Sequence, residues 1–311
     1  MAATDGDVGA LSYTSPVRAA VLLLALAGQA KPAPLPVVVE GKGLAAEYPG
    51  DVGLAGDKRV VFVENFENPE FRARWNEVKE PAAKLALVDD RGGKALEIVS
   101  DLERDTGGHL YKMLAPGHDT LHLRFYVWFE KAHDYVHHFV NLMGYHPATR
   151  WPHGGAGERP DGAKRFSTGI EPWGDWGRVP APGIWNFYSY WCEMAQSRDG
   201  KFWGNSFRPA TDVPVARDRW VCVEIMVKCN DPDQADGEQA FWIDGKCAGR
   251  WGGIRWRTTK SLNVNGVCLS YYMTPNPARQ NKVANPRRVN RVRFDDVVVA
   301  TAYIGPKAAV K

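Results

Sequence analysis

A two-residue hydrophobic period, recurring from about residue 60 to residue 306, limits the fold more than any other feature of the chain. In "TLHLRFYVWFE", Leu121, Leu123, Phe125, Val127 and Phe129 fall on one side of an extended backbone, with His122, Arg124, Tyr126, Trp128 and Glu130 on the other. Similar strand signals occur at "RVVFVENF", "KALEIVS", "HHFVNLMGYH", "KRFSTGIEP", "WNFYSYWCEM", "WVCVEIMVKCN", "QAFWIDGKCAGRW", "LNVNGVCLSYYM" and "RVRFDDVVVATAYI". No segment in this range keeps a helical period over ten residues, and no solenoid or propeller repeat is present. The 31 Gly and 21 Pro suit the tight turns that many short strands require, and Asp244-Gly245 is a two-residue hairpin signal. The economical architecture is all-β: a two-sheet antiparallel β-sandwich with long Gly/Pro loops at 146–165, 172–183 and 274–290.

In "GIWNFYSYWCEM" both alternating sets are aromatic: Asn186, Tyr188 and Tyr190 on one face, Trp185, Phe187 and Trp191 on the other. A curved sheet accounts for this if one face packs on its partner sheet while the other lines a concave groove, where tyrosines stack on sugar rings. Half-buried core tyrosines are the bland alternative for one strand. Three strands weaken it, because Arg124/Tyr126/Trp128, Asn186/Tyr188/Tyr190 and Glu224/Met226/Lys228 each give a mixed polar face opposite an apolar one.

With 311 residues, 44% apolar and 24% charged, the chain has the composition of a globular protein, and a net charge of +3 gives no reason to expect nucleic acid or a membrane surface as partner. "VRAAVLLLALAGQA" has a basic start, a short apolar run and a small-residue exit, so residues 1–30 are expected to be a cleaved signal peptide. An uncleaved anchor is the alternative. Residues 31–58 are expected to be a flexible linker or arm, 59–306 the β-sandwich and 307–311 a tail. The mature protein is then secreted or periplasmic, a monomer, and free of membrane. Cys192, Cys222, Cys229, Cys247 and Cys268 form no metal-binding spacing, and an odd number leaves at least one thiol unpaired.

Three stretches, "VFVENFE", "WVCVEIMVKCNDPDQADGEQAFWIDGK" and "VRFDDVVVATAYIGP", resemble the concanavalin A-like jelly rolls of secreted polysaccharide lyases and glucanases, over about residues 60–306. The resemblance implies a carbohydrate-active or carbohydrate-binding protein. It also implies that the first and last strands lie side by side. Glu64 or Glu67 would then approach Asp295 or Asp296 and offer oxygen ligands to a structural calcium ion, against the alternative of edge carboxylates in water or paired with arginines.

Retaining hydrolysis needs two carboxyls about 5–5.5 Å apart, typically at alternate positions of one strand, and no Glu-x-Asp-x-Glu stretch occurs here. An acidic polysaccharide lyase needs a group that neutralises a uronate carboxylate, a base for the C5 proton and an acid for the departing oxygen, and no cofactor. Arg124 and Asn141 are candidates for the first role, His137 or His138 for the second, and Tyr188 or Tyr190 for the third. Alternation favours His137 over His138, which it places on the core side unless it lies at a strand end. Substrate-binding candidates are Tyr126, Trp128, Glu171, Asn186, Glu193, Glu224, Lys228 and Arg165. The basic runs at 279–293 and 146–165 would attract a polyanion if they flank the groove, and are otherwise a solvated rim. The leading expectation is therefore β-elimination on an anionic polysaccharide. A lectin-like binding module and a hydrolase on a neutral glycan stand as alternatives.

Overall fold

The computed structural model describes residues 31–37, 41–80, 84–104, 106–152 and 155–310; the expected signal peptide, residues 1–30, and the final residue of the tail, 311, lie outside them. The strands are β1 (Ala33–Pro34), β2 (Val60–Glu64), β3 (Glu77–Lys79), β4 (Lys84–Asp90), β5 (Gly93–Asp101), β6 (Gly107–His118), β7 (Thr120–Phe129) and β8 (Val140–Tyr145). They continue as β9 (Arg165–Trp173), β10 (Ile184–Tyr190), β11 (Asn205–Phe207), β12 (Trp220–Lys228), β13 (Gly237–Ile243), β14 (Lys246–Ile254), β15 (Val264–Tyr272) and β16 (Val289–Ala300), with one short helix, α1 (Pro275–Gln280). The hairpin signal is realised: Asp244 and Gly245 adopt φ of 49° and 77° between β13 and β14.

Two antiparallel sheets result, as the jelly-roll expectation requires. One has nine strands, ordered β1-β14-β13-β12-β7-β16-β5-β4, with β2 also paired to β16; the other has seven, ordered β11-β10-β9-β8-β15-β6-β3. Between them lies the main core, stitched by ring contacts from Phe139 to Phe129 and Phe294 of the larger sheet, 5.4 Å each, and from Trp185 of the smaller sheet to Phe129, 6.1 Å. Burying one such ring completely contributes about 2 kcal/mol. Because Trp185 and Phe187 enter this core, the other alternating set of β10 must face away from it.

Parts of the segment expected to be a flexible linker or arm pack on the sandwich. Ala33 and Pro34 pair with Gly252 and Trp251 of β14, and Leu44, Ala45 and Leu54 are buried against Val298, Ala300 and Ile304, on the outer face of the nine-stranded sheet. The apolar residues interspersed among Pro and Gly supply this attachment. The tail is also held through residue 308, since Lys307 donates its backbone N–H to the Tyr126 hydroxyl and Gly50 donates to the Ala308 carbonyl.

Candidate active site

The outward face of the seven-stranded sheet is built by register. One row of directly paired residues runs Glu77, Tyr111, Cys268, Asn141, Gly169, Tyr188 and Ser206 across all seven strands. Glu171 pairs with Asn186 on one side of this row, and Ser167 with Tyr190 on the other. Gly169 keeps the centre of the row low: a Cβ there would stand 2.5 Å from Asn141 Oδ1. Two adjoining clefts, of about 270 and 780 Å³, share His138, Glu171 and Tyr188 as lining residues.

His138 Nδ1 lies 2.8 Å from Glu171 Oε1. Since a carboxylate accepts, Nδ1 carries the proton and the Nε2 lone pair is left for the groove. Burial opposes charge on His138, but the Glu171 carboxylate and its hydrogen bond outweigh burial and raise the pKa above the usual 6.5. His137 behaves oppositely: burial, with the neighbouring His138, pushes it down to about 4, and its Nδ1 is 2.8 Å from the Thr274 hydroxyl. Tyr188 approaches both partners, its ring 5.5 Å from His138 and its hydroxyl 3.5 Å from that of Tyr190. Burial, the Tyr190 hydroxyl and the charge of Glu171 push the Tyr188 phenol well above its ordinary range, so it remains protonated. Asn141 uses one amide N–H on the Phe139 carbonyl, 2.5 Å away, which leaves the other for a ligand. Arg165 lines the smaller cleft and donates to the carbonyls of Gly155 and Glu158.

Strict alternation misplaces His138. Both His137 and His138 precede β8, and both donate their backbone N–H to the Tyr272 carbonyl, so the chain bends there and the two rings stack at 4.4 Å instead of pointing to opposite faces.

Arg124, Tyr126, Trp128, Glu224 and Lys228 do not reach the groove. They lie on β7 and β12, on the outer face of the nine-stranded sheet, because alternation assigns a face within a strand but not the sheet that the strand joins. Arg124 is fully buried, paired with Asp51 and donating to the carbonyls of Asp296 and Gly305. Trp128 lies under the Arg293 guanidinium at 4.7 Å, and Lys228 pairs with Glu238 at 3.1 Å. Glu224 is 2.9 Å from His122 Nδ1 and accepts the N–H groups of Ile304 and Gly305. Glu193, beyond the end of β10, pairs with Arg255 at 3.1 Å and lines neither cleft.

The 279–293 run is largely neutralised on that same far side, Arg287 and Arg291 by Glu130, Arg288 by Asp101, and Arg293 by Asp90 and Glu97. The strand of "VFVENFE", β2, does pair with the last strand, β16, Glu64 opposite Val297. The carboxylates proposed for calcium have other partners, however: Glu64 faces Arg74 at 3.6 Å, Glu67 accepts the Lys94 N–H, Asp295 meets Arg91 at 2.7 Å and Asp296 meets Lys307 at 2.8 Å. Among the described residues no three His, Cys, Asp or Glu side chains form a group that could hold a metal ion.

No protein-family model and no curated protein matches the chain. Solved structures do. An alginate lyase from Chlorella virus superposes with a TM-score of 0.58 at 16% identity, covering 78% of this chain and 99% of that one. The marine alginate lyase of Aplysia kurodai gives 0.55 at 14% identity, covering 78% and 99%. A variant of alginate lyase Aly36B in complex with an alginate tetrasaccharide gives 0.55 at 11% identity, covering 79% and 98%. The chain has the jelly-roll fold of these lyases. Identity this low establishes the fold, and the chemistry has to be argued from the side chains in the groove.

Lys79 and His109 also line the smaller cleft, from β3 and β6. For His109 the local signal is the alternation of "GGHLYKML", which places His109 and Tyr111 on one face.

Proposed function

We propose that the protein is a polysaccharide lyase that cleaves a uronate-containing chain by β-elimination in the groove of the seven-stranded sheet. The carrying observation is that the His138–Glu171 pair and the protonated Tyr188 share one cleft. In this reading His138 Nε2 takes the C5 proton, the electron pair left at C5 forms the C4–C5 double bond, the C4–O bond breaks, and the departing oxygen takes the proton of Tyr188. Glu171 stabilises the imidazolium that forms. Asn141 and Arg165 bind the uronate carboxylate, which makes the C5 proton more acidic. Tyr190 hydrogen-bonds Tyr188 and contacts the sugar. A pKa raised toward neutrality suits His138 to the base role better than His137, whose low pKa makes it a weak base.

The same proposal places the enzyme outside the cell, following the leader-like sequence of residues 1–30. Among the described residues no helix is long and apolar enough to cross a membrane.

Incubation with alginate, glucuronan, pectate and glycosaminoglycans, followed by ultraviolet absorbance of the unsaturated product, tests the reaction. New absorbance on at least one polymer is expected. Silence across the panel overturns the lyase reading; new reducing ends without absorbance would indicate a hydrolase, and binding without any product a lectin-like module.

A further inference from the structure

Directly after β9 the chain makes a turn that L-residues rarely adopt. Asp175, Trp176 and Gly177 take φ of 46°, 58° and 84° in succession, a run of three left-handed residues. Glycine enters that region freely and aspartate tolerates it, whereas tryptophan is strongly disfavoured there. The turn persists because its neighbours hold it. The Asp175 carboxylate is buried between Arg208, 2.9 Å away, and Arg178, 3.2 Å away. Asn281, just beyond α1, accepts the Gly177 N–H at 2.6 Å, and the Tyr135 hydroxyl donates to the Val179 carbonyl at 2.6 Å.

The residue held in this costly conformation is exposed: 58% of Trp176 faces solvent. A single exposed tryptophan on a relaxed turn needs no explanation. One fixed in the left-handed region by a buried carboxylate and two loop clamps gains nothing for the core, and strain of this kind marks places where geometry serves a ligand. Trp176 also lines the larger cleft together with His138, Glu171, Tyr188 and Arg198, so it stands on the groove already described.

We propose that Trp176 is a stacking platform for a sugar ring of the bound polysaccharide, at a subsite away from the cleaved bond. An indole face matches the apolar face of a pyranose ring, and pre-fixing the side chain lowers the ordering cost of binding. Arg198, which pairs with no carboxylate among the described residues, supplies a cation on the same cleft for a uronate group. This inference rests on the reading of the groove as a polysaccharide site, but does not need that site to be catalytic.

Affinity electrophoresis of the full chain through gels containing alginate, glucuronan or pectate tests the platform separately from cleavage. The wild type is expected to be retarded by at least one polymer, and Trp176→Ala to bind it about tenfold more weakly, the size of one lost aromatic stack. Equal retardation of the two proteins, or no retardation of the wild type in any gel, overturns the platform. If cleavage occurs, Trp176→Ala should raise KM on long chains and leave kcat unchanged; a fall in kcat with KM unchanged overturns it too. Ultraviolet silence with Trp176-dependent retardation sinks the lyase reading alone. A second variant checks the strain: Trp176→Gly should lose binding to the same extent while its melting temperature rises, and a fall in melting temperature refutes the strain argument.

Discussion

At His138 the charge of Glu171 sets a pH dependence with a definite sign. In the proposed mechanism His138 acts only when neutral, so kcat/KM should rise with pH through the raised His138 pKa, giving an ascending limb centred above 6.5. Glu171→Gln keeps an acceptor for Nδ1–H but removes the charge, so the limb should move to lower pH while the plateau rate falls. A pH–rate profile of the two proteins checks this, and an unmoved limb would assign the titration to another group. Tyr188→Phe removes one proton and little area; kcat should drop by roughly 10²–10⁴-fold, with retardation in polymer gels retained. Sequence supplied the residue types, but alternation could not place the two histidines relative to each other, and both line the larger cleft. Their placement depends on a backbone bend at the Tyr272 carbonyl, and that contact is formed by residues more than 130 positions apart in the chain.

Among the elements, β16 carries a bulge near its centre. Its pairing with β7 shifts register between Asp295 and Val298, and Asp296 sits at φ of 47°. Asp295 is thereby turned into a buried position, where burial and the adjacent Asp296 raise its pKa to about 7. A carboxyl whose folded pKa exceeds its unfolded value contributes stability that is fully present below the unfolded pKa of about 3.8 and lost as pH rises through 7. Asp295→Asn has no proton to lose, so its stability relative to wild type should increase between pH 5 and pH 8 by about 2 kcal/mol. Urea melts at both pH values measure the gap, and a constant gap would contradict the burial account. Ten strand signals can be read from the chain and each contains or overlaps a strand, because period-2 alternation is a local property. β6, with its Pro and Gly near one end, and the short β1, β3 and β11 give weaker patterns.

Over the whole molecule, one buried cation ties the segments around Asp51 and Gly305 to the nine-stranded sheet. Arg124 joins Asp51 of the N-terminal segment to the carbonyls of Asp296 and Gly305. Asp51→Ala leaves that guanidinium buried without its counter-ion and should cost about 3 kcal/mol, with kcat of the folded protein unchanged, since the site lies across the sandwich. Thermal melts and activity at a permissive temperature separate the two effects; a catalytic loss without destabilisation would return Arg124 to the groove chemistry. The sequence by itself determined the strands, the all-β sandwich, and the aromatic and polar faces of β10, since each follows from side chains two residues apart. Only the tertiary structure decided which polar faces share a groove. Arg124 and Tyr188 read alike along their own strands, yet β7 pairs into one sheet and β10 into the other, and that choice is made by packing between segments distant in the chain.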